Sequence, residues 1–482
     1  MSTRRLALSV LLPGFLGPTV PGWLREQLAD GLAGVCLFAQ NVESAQQVAA
    51  LTADLHAARV GVLVASDEEG GSVTRLDARD GSPWPGHAAL GALDDTAATF
   101  DVATALGAAA AAAGVDLVLA PVLDVNSEPD NPVIGVRSFG ATPDLVSRHG
   151  VAFAAGLARG GVLACAKHFP GHGATRTDSH VGLPVLDVDE GTWRERDLAP
   201  FAAAVRAGVP AVMTAHVVVS ALDDRPATLS PRVLAVLRYD LGFSGAVVSD
   251  ALDMRAISAG VGRGEGAVLA LAAGVDLLCV GNPAFPDPYD DAAAVEEVVT
   301  AVGRAVEDGR LPVARLEEAS ARVAALSARA GAAVRPPTDP DLGTAVAARA
   351  LRVSGDVRLV GQAVVLVPRA AVSYAAGCAG SALVNRLRSA RPGWPVHEVR
   401  DPDEARAAVL DAGGEVLLVV EGRPDPSYAA VVAAVLETHP QAVVVYGGLP
   451  TPHDAGGRTV HTHGTGAATA AATLDLLLGE SR

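Results

Sequence analysis

Short apolar runs alternate with longer helix-forming stretches over the first 330 residues of the chain. The apolar runs are rich in β-branched residues and lie at 6–13, 34–38, 61–66, 116–123, 162–167, 211–217, 245–249 and 276–280. The stretches between them predict helices near 21–31, 43–58, 99–113, 142–159, 190–207, 230–239, 262–273 and 288–307. Strands that are apolar throughout are typical of parallel sheets buried on both faces. Eight such units predict a (β/α)8 barrel of the TIM type, with an open doubly wound sheet as the alternative.

The pattern changes after a further predicted helix at 311–329. The proline-rich segment RPPTDP follows at 335–340 and is typical of a linker. Beyond it, apolar runs resume at 363–368, 396–399, 415–420 and 442–448, with helical stretches between them. We therefore predict a catalytic barrel domain over 1–334, a linker over 335–344 and a smaller α/β sandwich domain over 345–482.

Composition excludes several classes of function. Half of the residues are hydrophobic, 19% are charged, and the net charge is −17. This charge argues against a nucleic-acid or membrane-surface partner, because both require clustered Lys and Arg. Four cysteines are too few for a disulfide framework, and three of them, Cys36, Cys165 and Cys279, lie in strand-like runs where we expect small buried side chains.

The first 17 residues, MSTRRLALSVLLPGFLG, have the arginines and the apolar run of a weak export signal. Pro13 and Gly14 interrupt that run, and no small-residue cleavage site follows. The run also suits a first strand. No apolar stretch of 18 residues indicates a membrane span. We therefore expect a cytoplasmic protein.

Charged and polar residues collect directly after the predicted strands. They include Asp67 and Arg75 after the third strand, Asp124, Asn126 and Arg137 after the fourth, Lys167, His168, His172, Asp178 and His180 after the fifth, His216 after the sixth and Asp250 after the seventh. One Asp in such a place is commonly a helix cap. Five clusters at the carboxyl ends of barrel strands, where such enzymes carry out catalysis, predict an active site.

The available side chains narrow the chemistry. Neither GxGxxG after the first strand nor a Walker loop is present, so no cofactor is predicted. A carboxylate at a strand end and an Asp-x-His pair on a glycine-rich loop suit glycoside cleavage, in which a carboxylate attacks the anomeric carbon while an acid protonates the leaving oxygen. His180, oriented by Asp178, is the candidate acid/base, because an imidazole can donate and then accept a proton near neutral pH.

Four segments carry a specific resemblance. SDEEGGSVTRL (66–76), RSFG (137–140), AKHFPGHGATRTDSHVGLP (166–184) and VVSDALDM (247–254) are similar to motifs of glycoside hydrolase family 3, in the subgroup of bacterial β-N-acetylglucosaminidases that includes the peptidoglycan-recycling enzymes. That family has a (β/α) barrel, and some members carry a second α/β domain. The resemblance implies removal of terminal β-linked N-acetylglucosamine from muropeptide or chitin fragments with retention of configuration, without metal or cofactor.

The same resemblance implies a role for each matching residue. Asp250 would be the nucleophile that forms a covalent glycosyl intermediate, and His180 would be the acid/base with Asp178 as its partner. The sugar hydroxyls would be held by Asp67, Arg75, Arg137, Lys167 and His168. Two departures from the family pattern, Ala174 and Ala251, remove no catalytic group but leave loop packing and fine specificity open.

Several alternatives stay open for individual residues. Asp253 is a rival carboxylate three residues after Asp250. His172 would shape its loop or contact sugar, Asp124 and Asn126 would organise theirs, and His216 would be a contact or a structural hydrogen-bonding residue. The bond Phe169–Pro170 is a candidate cis peptide. His461 and His463 are placed on the surface by default.

Three other functions compete with hydrolysis. The same residues could transfer the glycosyl group to phosphate. His168, His172, His180 and His216 could instead be ligands of a metal-dependent barrel hydrolase, although the His-x-His expected after the first strand is Pro-Gly-Phe here. A non-catalytic sugar-binding protein is the third. In each of the sugar-directed cases the partner is a small carbohydrate; the sequence predicts no oligomeric state.

Overall fold

The computed structural model describes residues 1–331, 339–369, 381–411, 413–421, 426–452 and 454–479. By packing, the chain divides into two units: Met1–Glu68, Thr99–Asn131 and Ala141–Thr338 form the first, and Glu69–Ala98, Pro132–Gly140 and Asp339–Arg482 form the second. The predicted linker at 335–344 lies partly outside the described residues, and the domain limits 1–334 and 345–482 stay predictions. Among the described residues, no helix combines the length and apolar character needed to cross a bilayer.

The first unit is built on a curled parallel sheet. The strands of this unit are β1 (Leu11–Pro13), β2 (Gly34–Leu37), β3 (Leu63–Ser66), β4 (Leu117–Val118), β5 (Leu163–Phe169), β6 (Val185–Leu186), β7 (Ala211–Thr214), β8 (Val218–Val219), β9 (Ala246–Val248) and β10 (Leu278–Gly281). Strands β6 and β8 pair with each other in a separate two-stranded sheet. Strands β2, β3, β4, β5, β7 and β9 pair in that order, and β1 pairs with β10. A parallel bridge between Val248 and Leu277 links β9 to the start of β10. The barrel class is thereby confirmed.

Helices follow the strands as the sequence pattern predicts. In chain order they are α1 (Thr3–Leu8), α2 (Gly22–Asp30), α3 (Ala45–Ala58), α4 (His87–Leu93), α5 (Thr96–Ala112), α6 (Pro143–Gly160), α7 (Glu190–Thr192), α8 (Ala199–Arg206), α9 (Pro231–Ala235), α10 (Arg255–Ser258), α11 (Arg263–Ala273), α12 (Asp291–Glu307), α13 (Val313–Ser327), α14 (Leu342–Ala350), α15 (Ala382–Ala390), α16 (Pro402–Leu410), α17 (Pro426–Thr438) and α18 (Ala467–Leu478). The π-helical segments Trp193–Asp197 and Val236–Asp240 continue α7 and α9.

The predicted first strand at 6–13 is wrong over its first half. Residues 3–8 form α1, and only Leu11–Pro13 pair as a strand. The Ser2 hydroxyl accepts a hydrogen bond from the backbone N–H of Arg5, which caps the helix at its start. Leu6 and Leu8 are buried in the helix as they would have been in a strand. A short apolar run therefore could not distinguish the two structures.

The interior of the curled sheet is a continuous apolar core. Alternate residues of each strand point into it, because successive side chains of a strand face opposite sides. The inward-facing residues include Leu63 and Ala65 on β3, Leu163 and Cys165 on β5, Ala211 and Met213 on β7, and Ala246 and Val248 on β9. The cysteines Cys36, Cys165 and Cys279 are buried thiols, as predicted. The barrel is therefore filled with side chains up to the carboxyl ends of its strands.

The second unit is an α/β sandwich, as predicted. Its strands are β11 (Arg352–Ser354), β12 (Ala363–Pro368), β13 (Val396–Val399), β14 (Glu415–Val420), β15 (Val443–Tyr446) and β16 (Thr459–His461). They pair in the order β11, β16, β15, β14, β12, β13, and only β11 runs antiparallel to its neighbour. Separate apolar clusters, containing Leu366 and Leu418 in one case and Val365 and Leu417 in the other, cover the two faces of the sheet. The hydrophobic pattern did not predict β11, β16 or α4.

Candidate active site

Three charged side chains continue the inward-facing rows of the barrel strands. Each lies two residues beyond the last core position of its strand: Asp67 directly after β3, Lys167 on β5 and Asp250 just after β9. Side-chain alternation directs these positions toward the same interior layer, directly above the apolar core. The ammonium of Lys167 donates to Oδ1 of Asp67 over 2.5 Å, and Lys167 is only 2% exposed. Within the first unit, the predicted residues Asp67, Lys167 and Asp250 thus line the carboxyl end of the barrel.

Asp250 lies in an electropositive environment. Burial by itself raises the pKa of its carboxyl group. The imidazoles of His216, His168 and His180 and the backbone N–H of Ala251 lower this pKa by more than burial raises it, so the net shift is downward. The Ala251 N–H donates to Oδ1 over 2.8 Å. Asp250 is therefore held as a carboxylate, the form that a nucleophile requires.

The rival carboxylate, Asp253, is engaged elsewhere. Its Oδ2 accepts hydrogen bonds from the backbone N–H of Asn282 over 2.8 Å and from the hydroxyl of Tyr289 over 3.3 Å. Burial raises its pKa to about 6. A side chain at Gly281 would collide with this carboxylate, because a Cβ there would lie 2.0 Å from its Cγ. Asp253 therefore ties the segment after β10 to the segment after β9.

Asp178 and His180 form a hydrogen-bonded pair, here called the dyad. Oδ1 of Asp178 lies 2.7 Å from Nδ1 of His180 and also accepts from the His180 backbone N–H over 2.8 Å. Burial tends to raise the pKa of Asp178, but the hydrogen bond and charge of His180 outweigh it and lower the pKa. A carboxylate bonded to Nδ1–H fixes the tautomer and orientation of the ring. The dyad sits on residues 170–184, here called the acid/base loop.

Asp124 is a buried anchor for the start of this loop. Its Oδ2 lies 2.7 Å from Nδ1 of His168, and its Oδ1 accepts from the backbone N–H of His172 over 2.7 Å. Burial would raise the pKa of Asp124, but the charge and hydrogen bond of His168 lower it overall. The peptide bonds Lys167–His168 and Phe169–Pro170 are both cis, the second as predicted. Asp124 thus fixes the ring orientation of His168, a predicted sugar-binding residue, through the contact at Nδ1.

His216 and His172 are buried and hold backbone in place. In His216, Nε2 donates to the carbonyl of Ala251 over 2.9 Å, and Nδ1 lies 2.8 Å from the Thr228 hydroxyl. His216 is therefore a structural hydrogen-bonding residue for the segment that carries Asp250. Burial lowers the pKa of the His216 imidazole. His172 is 2% exposed, and its carbonyl accepts a hydrogen bond from the side-chain amide of Asn131.

Arg75 and Arg137 belong to the second unit. Arg137 makes a two-pronged ion pair with Glu69, with Nε–Oε2 and Nη2–Oε1 distances of 2.9 and 2.8 Å, and the Glu69 side chain is 1% exposed. Arg75 is half-buried on the turn that follows the bridge between Gly70 and Val73. Arg137 was predicted from the sequence but Glu69 was not; the acidic run Glu68–Glu69 before two glycines was the available signal.

The default surface placement of His463 is wrong. His463 is 5% exposed and adopts φ +53°, and burial lowers its pKa to about 4. With Glu69, Arg137 and His87 it lines a small pocket within the second unit. His461, two residues earlier in the chain, is partly buried, and Nε2 of its ring lies 3.0 Å from Oδ2 of Asp454. In the part of the chain that the structure describes, no three His, Cys, Asp or Glu side chains are grouped as metal ligands.

The burial of His172 predicts a pH dependence of stability. Burial lowers its pKa to about 4, whereas an unfolded histidine titrates near pH 6.5. Between these values the unfolded chain binds a proton that the folded protein does not, so this stability is complete above about pH 6.5 and is lost as the pH falls toward 4. The urea midpoint of His172→Gln should therefore fall less between pH 7 and pH 5 than that of the wild type.

The matched control is His397→Gln, which removes an exposed histidine on β13. Its loss of midpoint between pH 7 and pH 5 should equal that of the wild type. A His172→Gln variant with the full wild-type loss would contradict the neutral, buried state of the ring.

This chain is similar in sequence to known glycoside hydrolases. Residues 23–326 match the model of the glycosyl hydrolase family 3 N-terminal domain. The chain is 35% identical over 336 residues to beta-hexosaminidase A of Pseudoalteromonas piscicida, a match that covers 64% of this chain and 56% of that protein. The chain thus spans little more than half the length of that relative.

Two solved structures extend the comparison. A glycoside hydrolase family 3 β-N-acetylglucosaminidase from Paenibacillus sp. str. FPU-7 has a TM-score of 0.87 and 31% identity, covering 100% of this chain and 97% of that one. NagZ from Neisseria gonorrhoeae, in complex with N-trifluoroacetyl-D-glucosamine, has a TM-score of 0.53 and 31% identity, covering 66% and 97%. The family model matches more than half of the chain, which therefore belongs to glycosyl hydrolase family 3.

Proposed function

We propose that this chain is a retaining, exo-acting β-N-acetylglucosaminidase that removes terminal β-linked N-acetylglucosamine from muropeptide or chitin-type oligosaccharides. The observation that carries the proposal is the 2.7 Å hydrogen bond between Asp178 and His180, on the same unit as a strand-end carboxylate, Asp250, whose pKa that imidazole helps to lower. The names of the relatives support the substrate class, and the NagZ complex holds an N-acylated glucosamine. Following the family resemblance, we place this activity in cytoplasmic peptidoglycan recycling.

The first half of the proposed reaction forms a covalent intermediate. A carboxylate oxygen of Asp250 attacks the anomeric carbon, and the bond from that carbon to the aglycone oxygen breaks. The aglycone oxygen takes a proton from Nε2 of His180. Asp178, bonded to Nδ1, stabilises the protonated imidazole before transfer. The products of this half-reaction are a glycosyl ester of Asp250, a neutral His180 and the free aglycone.

The second half of the proposed reaction hydrolyses the glycosyl ester. Nε2 of His180 accepts a proton from water, and the water oxygen attacks the anomeric carbon as the bond to Asp250 breaks. Two displacements at one carbon restore the original β configuration. Asp250 returns as a carboxylate and His180 is again protonated, so the cycle needs no other reactant.

The remaining predicted residues would bind the sugar. We propose that Asp67 and Lys167 act as a charged pair toward its hydroxyls, because both lie in the layer that Asp250 occupies. His168 would contribute its ring edge, oriented by Asp124 through Nδ1. The family resemblance alone implies that Arg75 and Arg137 bind the sugar; within the second unit, Glu69 fixes the guanidinium plane of Arg137. The roles of Asp67, Lys167 and His168 follow the family resemblance and this geometry together.

A panel of aryl β-glycosides tests the substrate class. The p-nitrophenyl N-acetylglucosaminide should be cleaved with a kcat/KM at least about 100-fold above that of the glucoside and the xyloside, because a site for an acetamido group leaves polar groups unpaired when that group is missing. The β anomer of N-acetylglucosamine should be the first product seen by NMR. Preference for the glucoside or release of the α anomer would contradict the proposal.

The same panel with added phosphate separates hydrolysis from phosphorolysis. The proposal expects N-acetylglucosamine at a rate that phosphate leaves unchanged. Phosphate-dependent turnover that yields the sugar 1-phosphate would establish the phosphorylase instead. Complete loss of activity on exhaustive chelation would favour the metal-dependent alternative.

Replacing the proposed acid/base should separate substrates by leaving group. His180→Ala should lower kcat/KM for N,N′-diacetylchitobiose by about 100-fold or more but that of the 2,4-dinitrophenyl glycoside by much less, because a good leaving group needs little protonation. The control is His56→Ala, which removes a histidine bonded to Asp116 just before β4, at the opposite end of the barrel. That variant should leave both values unchanged. An equal loss on both substrates in His180→Ala would contradict the acid role.

A further inference from the structure

The acid/base loop contains a buried histidine that does not belong to the dyad. His172 is 2% exposed, and the residue between the two members of the dyad, Ser179, is equally buried. Nε2 of His172 lies 3.2 Å from the Ser179 hydroxyl, and Nδ1 lies 2.7 Å from the hydroxyl of Thr175. The ring therefore connects the beginning of the loop with the residue that separates Asp178 from His180.

The hydrogen bonds around this ring are consistent with a tautomer protonated on Nδ1. The Thr175 hydroxyl can donate its single proton to the carbonyl of His172, 3.0 Å away, and then accepts toward the ring. In that arrangement Nδ1 carries the ring proton and Nε2 is an acceptor. The Ser179 hydroxyl must then be the donor to Nε2. A neutral ring agrees with the pKa of about 4 that burial imposes on His172.

The backbone of His172 is fixed independently of its ring. Its N–H donates to Oδ1 of Asp124 over 2.7 Å, and its carbonyl accepts from the side-chain amide of Asn131 over 2.8 Å. Glycines on both sides allow this close approach: a Cβ at Gly173 would lie 2.0 Å from the carbonyl oxygen of Val125, and Gly171 has φ +115°. The backbone that carries the ring is thus hydrogen-bonded to the segment that follows β4.

Ser179 is held from its other side by the segment that carries the nucleophile. The carbonyl of Ser179 accepts a hydrogen bond from the backbone N–H of Ala256 over 3.3 Å, six residues after Asp250. The side chain of Ser179 is directed to His172 and its backbone to α10. Ser179, which lies between the two members of the dyad, therefore connects the dyad to the segment that carries Asp250.

We propose that His172 is a positioning residue for the acid/base: by accepting a hydrogen bond from Ser179, it holds the dyad in the place from which His180 reaches the leaving oxygen. The inference rests on the proposed function, since it gives His172 a purpose in that reaction. A buried histidine that only fills space would affect stability alone. A positioning histidine affects proton transfer, and so acts on substrates according to their leaving group.

Ser179→Ala tests this with the smallest change. It removes the donated hydrogen bond and leaves the imidazole in place. We expect kcat/KM for N,N′-diacetylchitobiose to fall about 10-fold or more, while that for the 2,4-dinitrophenyl glycoside stays within about threefold, because only the first substrate depends on a well-placed acid. An equal effect on both substrates, or no effect on either in a folded variant, would overturn the proposal.

Two replacements of His172 provide a matched pair. His172→Asn retains a donor toward Thr175 but lacks an atom at the position of Nε2, and should reproduce the selective loss of Ser179→Ala. His172→Gln places an amide oxygen near the position of Nε2 and should restore part of the loss. Adding Ser179→Ala to His172→Asn should cause no further loss, because both remove the same bond. Additive losses, or Gln and Asn variants of equal activity, would contradict the role.

The control for a lost buried hydroxyl is Ser9→Ala. The Ser9 hydroxyl donates to the carbonyl of Leu6 over 2.7 Å and lies 2.8 Å from the Ser320 hydroxyl. Both partners are remote in sequence from the acid/base loop. Ser9→Ala should shift the two substrates equally or not at all. Wild-type protein without activity on any N-acetylglucosaminide would overturn the proposed function, whereas an active wild type with an unselective Ser179→Ala variant would overturn only the role of His172.

Discussion

The buried carboxylate of Asp124 is the interaction on which the arrangement of the barrel end depends. A charge removed from water is costly unless hydrogen bonds replace its hydration. Here one oxygen meets Nδ1 of His168 and the other meets the backbone N–H of His172, each over 2.7 Å. One carboxylate therefore orients His168, a proposed sugar-binding residue, and, through His172, the loop that carries the dyad. Asp124 thus connects the end of β5 with the acid/base loop.

A histidine in place of a second carboxylate suits the charge of this site. Asp250, Asp67, Asp124 and Asp178 already bring four acidic groups to one end of the barrel. A fifth carboxylate near Asp250 would be repelled as an anion and would raise the pKa of this proposed nucleophile. An imidazole lowers that pKa instead and can still exchange a proton near neutral pH. The Asp partner of the dyad then stabilises the charged ring without itself approaching the sugar.

Much of this fold follows from the one-dimensional pattern. Parallel barrel strands are apolar throughout, and the helices between them are longer, so the eight units and the polar residues at their ends could be predicted. The register of the strands was also implicit: counting two residues from Ala65, Cys165 and Val248 gives Asp67, Lys167 and Asp250. The error at 6–13 arose where burial was the same for helix and strand.

Other features depend on contacts between distant residues, which no local pattern encodes. The pair Glu69–Arg137 joins residues 68 apart and packs in the second unit, although both lie among barrel segments in the sequence. The tautomer of His172 depends on Thr175 and Ser179 together. The sequence signal was present as Gly-His-Gly, whose glycines allow close backbone approach, but the partner of the ring could be identified only in the fold. His463 was placed on the surface because nothing near it in sequence indicates burial.

The central claim is that Asp250 becomes ester-linked to the anomeric carbon. A 5-fluoro N-acetylglucosaminyl fluoride slows the second half-reaction, so that the intermediate accumulates and can be mapped by peptide mass spectrometry. The account predicts a single label on Asp250, released with the return of activity when an acceptor is added. A label on another side chain such as Asp253, or steady turnover of the reagent without any covalent species, would contradict it.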